Sequence, residues 1–149
     1  MDAAKKGIIT PEMKKVAQKE NIDPEILRER VARGSVAIPC NKNHKCIDPE
    51  GVGEGLKTNI NVNLGISKDC TDYSIAMEKV NMAVKMKAEA IMDLNCYGKT
   101  HEFCQKLIDT CPAMIGTVPM YAAVGYLAKA IKDLTAEDFL ASIVPYHQE

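Results

Sequence analysis

Tryptophan is absent and phenylalanine occurs twice, so aromatics make up only 5% of the 149 residues. A core this poor in rings must be packed from aliphatic side chains and from methionine, which occurs eight times. Neither charge is in surplus: 19 Lys and Arg stand against 20 Asp and Glu, for a net charge of −1. That balance gives no electrostatic footing for nucleic acid or an anionic membrane, and neither is expected as a partner. No apolar run approaches the roughly 20 residues of a spanning helix. The start, Met1-Asp2-Ala3-Ala4-Lys5-Lys6-Gly7, lacks the apolar centre of a signal peptide, so the cytoplasm is the expected compartment.

Also missing is any Cys-x-x-Cys pair. With no secretory signal, the six cysteines (40, 46, 70, 96, 104 and 111) are expected as reduced thiols. Cys40-x-x-x-His44-x-Cys46 comes nearest to a metal-ligand spacing, with three soft ligands, but it has no partner half-site. It is read as a loop beside Asn41, Asn43 and Pro49, and no metal site is expected. His44, His101 and His147 have no spacing that suggests a metal centre or a catalytic triad.

What is present is order along the chain. Thr10-Pro11-Glu12 and Asp23-Pro24-Glu25 each begin a short helix with a capping side chain, a proline at the first helical position and an early acid. Gly34 closes the second helix, Ser35 to Pro39 is a short extended piece, and residues 40–57 read as a loop or irregular crossover. From there the pattern turns periodic. Thr58 to Leu64 predicts a strand with Asn59, Asn61 and Asn63 on one side, and Asp72 to Lys87 a helix. Ala90 to Leu94, Thr100 to Thr110, Ala113 to Val118 and Tyr121 to Ile131 then predict strand, helix, strand and helix. Thr135-Ala136-Glu137-Asp138 starts a further helix to about Val144 with a near capping box. Three strand–helix units predict parallel strands, either in a small open sheet or in part of a barrel.

Three strand ends carry polar or soft side chains: Asn61-Val62-Asn63-Leu64-Gly65, Ile91-Met92-Asp93-Leu94 and Gly116-Thr117-Val118-Pro119-Met120-Tyr121. Successive strand ends are where a βα repeat builds a ligand pocket. Taken singly, Met92 reads as a core methionine, Tyr121 fits packing and binding equally, and the alternating Asn61 and Asn63 favour a site over a structural ladder. Asp93 alternates with Met92 and is read as structural.

With Arg28-Glu29-Arg30-Val31-Ala32-Arg33-Gly34, Ile38-Pro39, Asn41-x-Asn43-His44 and Asp133-Leu134-Thr135, these strand ends make the chain resemble the N-terminal part of the ThiC-type phosphomethylpyrimidine synthase family. The resemblance runs from about Gly7 to Phe139, without a gap between Asn63 and Tyr121. It implies an α/β fold: a small helical N-terminal region (1–57), then about three parallel βα units (58–149) of an incomplete (βα)8 TIM-type barrel. It implies a radical S-adenosylmethionine lyase of thiamine biosynthesis, rearranging 5-aminoimidazole ribotide into the hydroxymethylpyrimidine phosphate. It also implies that Asn63, Met92 and Tyr121 contact the ribotide, with Asn61 supporting Asn63. His44, a landmark of the resemblance, is expected to be structural or interfacial. None of these residues is a radical generator, and no catalytic residue is expected among them.

The family's [4Fe–4S] cluster belongs to a later three-cysteine motif, so no cofactor is expected on this chain alone. The resemblance therefore leads to the expectation of a truncated synthase, inactive in isolation. It is expected to homodimerise, self-associate or take its missing strands from a partner. Two alternatives stay open: a hydroxybenzimidazole synthase paralogue, and a non-catalytic ribotide-binding subunit or pseudoenzyme. Departures feed the second. Asn95-Cys96-Tyr97-Gly98 stands where the family usually has Ser-Thr-Gly-Gly, Ala122 replaces a usual Gln, and Lys87 a frequent glycine.

Overall fold

The computed structural model describes residues 1–66, 71–95, 100–118, 120–121, 127, 129–138 and 140–141. It begins with three helices, α1 (Asp2–Lys5), α2 (Pro11–Glu20) and α3 (Pro24–Arg33). Thr10 Oγ1 accepts from Met13 N at 3.3 Å and Asp23 Oδ1 from Glu25 N at 2.7 Å, so both expected caps form, each followed by its proline. Two short strands, β1 (Val36–Ala37) and β2 (Val52–Gly53), then pair antiparallel. Val16, Leu27, Val31 and Val36 bury together with Ala4, Met13 and Ala17, and Leu56 packs at the edge of this first core. Burying a side chain such as Leu27 contributes about 2 kcal/mol.

The second part is a three-stranded parallel sheet, β3 (Asn61–Leu64), β4 (Ala90–Asp93) and β5 (Met114–Thr117), in the order β3-β4-β5. Its crossovers are α4 (Tyr73–Lys85) and α5 (Thr100–Thr110). Ala76, Val80 and Ala83 of α4 and Phe103 and Leu107 of α5 share one core with Ile91, and Val62, Leu64 and Ile115 pack against it. Both helices therefore cover the same face of the sheet. The parity of each strand explains this, since apolar residues occupy alternate positions and turn together toward the helices.

Four helix ends share one device. At Gly7, Asn21, Gly34 and Lys87 the backbone turns left-handed, with φ of 77°, 54°, 83° and 63°. In each case the next residue's amide reaches back five residues, as Ala88 N does to Ala83 O at 3.0 Å. Three of these positions hold glycine or asparagine, which tolerate the conformation. Lys87 does not have that freedom.

Several expectations shift. Residues 40–57 contain β2 and are not wholly irregular, and β3 starts at Asn61 instead of Thr58. Asn59 lies before that strand and donates its side-chain amide to Gly51 O at 2.9 Å, a tertiary bond that no local pattern encodes. Of the helix expected over Tyr121 to Ile131, Tyr121 and residue 127 are helical. Lys129 and Ala130 are not, and Ile131–Asp133 forms a 3-10 turn. Asp138 engages both Lys129 Nζ, at 2.8 Å, and Thr135 N, at 2.9 Å, and Asp138 N bonds Thr135 Oγ1, closing the expected capping box. That pair and the Thr135 bonds hold the Asp138 carboxyl down at about 2. No helix among the described residues is long and apolar enough to cross a membrane.

Candidate functional site

Register places the expected residues side by side. Asn63 pairs with Met92 and Met92 with Gly116, while Asn61 pairs with Ala90 and Ala90 with Met114. These rows alternate with Val62, Leu64, Ile91 and Ile115, which face the helices. Asn61, Asn63 and Met92 thus share the sheet face that α4 and α5 leave uncovered.

Asn61 Nδ2 donates to Asn63 Oδ1 at 2.8 Å, which fixes the Asn63 amide with its oxygen engaged and its two N–H donors presented. Both asparagines are exposed. The Met92 thioether lies across Gly116, where an added Cβ would stand 2.9 Å from its Cε and 3.0 Å from its Sδ. The missing side chain at Gly116 is what lets a polarizable wall lie flat on this face. Tyr121 stands beyond the end of β5, exposed, its amide bonded to Val118 O at 2.9 Å. It shares no hydrogen bond with the other three, so the structure brings Asn61 and Asn63 together, sets Met92 beside them and leaves Tyr121 at the rim.

On the opposite side of the strand ends, Asp93 and Asn95 are buried. Asp93 Oδ1 accepts from Asn95 N at 3.0 Å, and Asn95 Oδ1 accepts from Ile66 N at 2.5 Å. Burial pushes the Asp93 carboxyl up to about 6, against the Asn95 backbone and side-chain amides, which favour the charged form. The structural reading of Asp93 agrees with this place. The sequence signal for Asn95 was its departure from the family pattern, which carried no hint of its bond to Ile66. Cys96, Tyr97 and Gly98 lie outside the described residues, as does Ala122.

Of Cys40, His44 and Cys46, the last two meet at one backbone carbonyl and Cys40 lies apart. Buried His44 donates Nε2–H to Cys111 O at 2.6 Å, since a carbonyl only accepts. Cys46 Sγ donates to Ile108 O at 3.3 Å and to Cys111 O at 3.2 Å, and Asp48 N bonds Pro112 O at 2.8 Å. The loop caps the carbonyl end of α5 and ties the first core to the second. Cys40 instead lines a 360 Å³ pocket with Thr10, Glu12 and Met13 in the N-terminal part. Cys104 and Cys111 are buried in or beside α5, and burial raises the Cys111 thiol above its ordinary value. Among the described residues no three metal-ligating side chains gather. A 330 Å³ cleft lined by Tyr73, Met77, Phe103 and Lys106 lies between α4 and α5, on the other side of the sheet from Asn63.

Comparison with known proteins adds a family. The profile of the radical SAM ThiC family matches residues 1–149. A phosphomethylpyrimidine synthase of Clostridium kluyveri is 60% identical over 149 residues, covering 100% of this chain and 34% of the relative. One of Clostridium botulinum is 63% identical over 140 residues, 94% of this chain and 32% of the relative. One of Alkaliphilus oremlandii is 60% identical over 149 residues, 100% and 34% respectively. The chain spans about a third of the length of these curated relatives.

Proposed function

The chain belongs to the radical SAM ThiC family, and from that premise we propose that it supplies one wall of the substrate site of a phosphomethylpyrimidine synthase of thiamine biosynthesis. The substrate is 5-aminoimidazole ribotide and the product the hydroxymethylpyrimidine phosphate. The observation that carries this reading is the in-register row Asn63–Met92–Gly116 on the helix-free face of a parallel sheet.

The proposed architecture is an N-terminal region, 1–57, followed by the first three units of a (βα)8 barrel from residue 58. Two features support it. The strand order advances one way, β3-β4-β5, and both crossover helices pack on a single face. A doubly wound sheet would place helices on both faces. In a barrel, the uncovered face is the interior and the strand ends are the mouth. The boundary near 57 follows Leu56, which packs with the first core, whereas Val62 packs with the second.

In this site the chain binds and orients. The Asn63 amide donates to an imidazole nitrogen or a ribose hydroxyl, and Asn61 holds it in that orientation. Met92 packs against the planar base, and Tyr121 closes the rim with a flat ring and one hydroxyl. The family's iron–sulfur cluster and S-adenosylmethionine, when bound, supply the radical. The described cysteines do not fit that cluster, because Cys46 caps α5 with His44, Cys104 and Cys111 are buried with that helix, and Cys40 lies apart in the N-terminal pocket. Residues 1–149 alone are accordingly proposed to make no pyrimidine.

The test is a chimera in which residues 1–149 replace the matching third of the Clostridium kluyveri protein. With cluster, S-adenosylmethionine, reductant and ribotide, the chimera should form the pyrimidine phosphate, and Asn63→Ala in it should cut kcat/KM by roughly tenfold or more. A folded, cluster-loaded chimera that binds ribotide and makes no product would overturn the proposal.

A further inference from the structure

The ladder between β3 and β4 does not stop where the strands stop. Beyond the last paired residues, Leu94 N still donates to Leu64 O at 2.7 Å. The next backbone carbonyl on the β4 side is replaced by a side chain, Asn95 Oδ1, which takes the Ile66 amide at 2.5 Å. Gly65 lies between these two bonds, and a Cβ there would stand 3.1 Å from Leu94 O and 3.2 Å from its carbonyl carbon. A side chain at position 65 would therefore press on the Leu94 backbone, and the two strand ends would have to part by a few tenths of an ångström to take it. The Asn95 backbone is held in turn by the Asp93 carboxylate at 3.0 Å, so Asp93, Asn95 and Ile66 form one chain of buried bonds across the two strand ends. Asn95 Nδ2 is buried and meets no acceptor in hydrogen-bond geometry, although its amide still favours the Asp93 charge, so the residue's geometrically closed side-chain bond is the one its oxygen makes.

We infer that Asn95, held by Asp93, is a positioning residue that sets the end of β3 and with it the Asn63 amide. The reason is mechanical. Asn63 is exposed, and among the described residues its side chain hydrogen-bonds only Asn61 of the same strand, which orients the amide but does not anchor the strand. What fixes its backbone is pairing with β4 on one side and the clamp three residues further on. Removing the clamp takes from the buried Ile66 N–H its 2.5 Å bond to the β4 side, and the strand end loses that tether. The part of the inference that concerns ribotide rests on the proposed function.

The experiment uses the 149-residue chain labelled with 15N in asparagine side chains, free and titrated with 5-aminoimidazole ribotide. Asn95→Ala should shift or broaden the Asn63 side-chain amide signal and raise the ribotide Kd by about tenfold. Asn95→Ser keeps an oxygen acceptor on a shorter arm. It should move the Asn63 signal less and raise the Kd by only about two- to threefold, and that smaller paired change carries the test if the alanine variant does not fold. Val16→Ala, which loosens the distant first core, should lower the melting temperature and leave both readouts in place. An Asn63 signal unmoved in every Asn95 variant overturns the inference, as does a moved signal with an unchanged Kd. If the parent chain takes no ribotide while the Asn63 signal moves, the positioning role stands and the ribotide reading falls.

Discussion

At the scale of single residues, the candidate site depends on what is missing as much as on what is present. Gly116 has no side chain, and Met92 fills the space that one would take. A methyl group there meets the mobile end of Met92 and not the backbone, so Gly116→Ala should fold but displace the thioether from the face. Titration calorimetry should then show ribotide binding about three- to tenfold weaker, with little change in melting temperature; unchanged affinity would remove Met92 from the site. Asp93 makes a second prediction. Its carboxyl is raised from 3.8 to about 6, chiefly by burial. A raised acid stabilises the fold fully below the unfolded value and loses that contribution as pH climbs through the folded value. Stability should therefore fall between pH 4 and pH 6 by an amount on the order of 2 kcal/mol. Asp93→Asn, which keeps an acceptor for Asn95 N–H, should flatten that window. Urea midpoints of both proteins at pH 4.5 and 7.5 check it, and parallel pH profiles would contradict it.

At the scale of elements, the helix ends decide most of the local energetics. Lys87 occupies the left-handed position that Gly7, Asn21 and Gly34 fill elsewhere at little cost. The strain of a side chain with φ of 63° is about 1 kcal/mol. Lys87→Gly should relieve most of it and raise the melting temperature by roughly 3 °C; a fall on calorimetry would mean that the lysine has a compensating contact. This position also marks what the sequence could and could not disclose. Caps were legible because they are local: Thr10-Pro11, Asp23-Pro24 and Gly34 determine their turns from neighbours alone, and α5 lies where its apolar spacing put it. The face shared by Asn61, Asn63 and Met92 followed from strand parity. β2 was hidden because two residues hold no period and pair only through tertiary contact. The tie from His44 to Cys111, 67 residues apart, was hidden for the same reason, as was the grip of Asn95 on Ile66. The strain at Lys87 showed in the sequence only as a departure from the pattern that the resemblance implies.

At the scale of the whole molecule, two cores are joined through the loop that caps α5, and a charged seam ties that loop to α2. In that seam Lys19 meets Asp48 at 2.7 Å and also bonds Glu50 and Pro49 O. Burial by itself would lower the Lys19 ammonium, but these partners outweigh it and hold it above its ordinary value. The flank beside β3 is open, with Ile60 exposed next to the strand, Ile75 and Met82 exposed on α4 and Met86 exposed just after it. In the proposed barrel that flank meets a later strand and helix. Residues 1–149 prepared on their own should associate with themselves, and sedimentation velocity should show mass rising with concentration. Met82→Lys with Met86→Lys should weaken that association, and a parent chain that stays monomeric at every concentration would contradict it. The central claim is that the Asn63 face is a ribotide wall, and calorimetric titration of 5-aminoimidazole ribotide into the parent chain and Asn63→Ala tests it most directly. The account predicts saturable one-site binding by the parent and at least about a tenfold loss in the variant; no binding by the parent, or equal affinity in both, would contradict it.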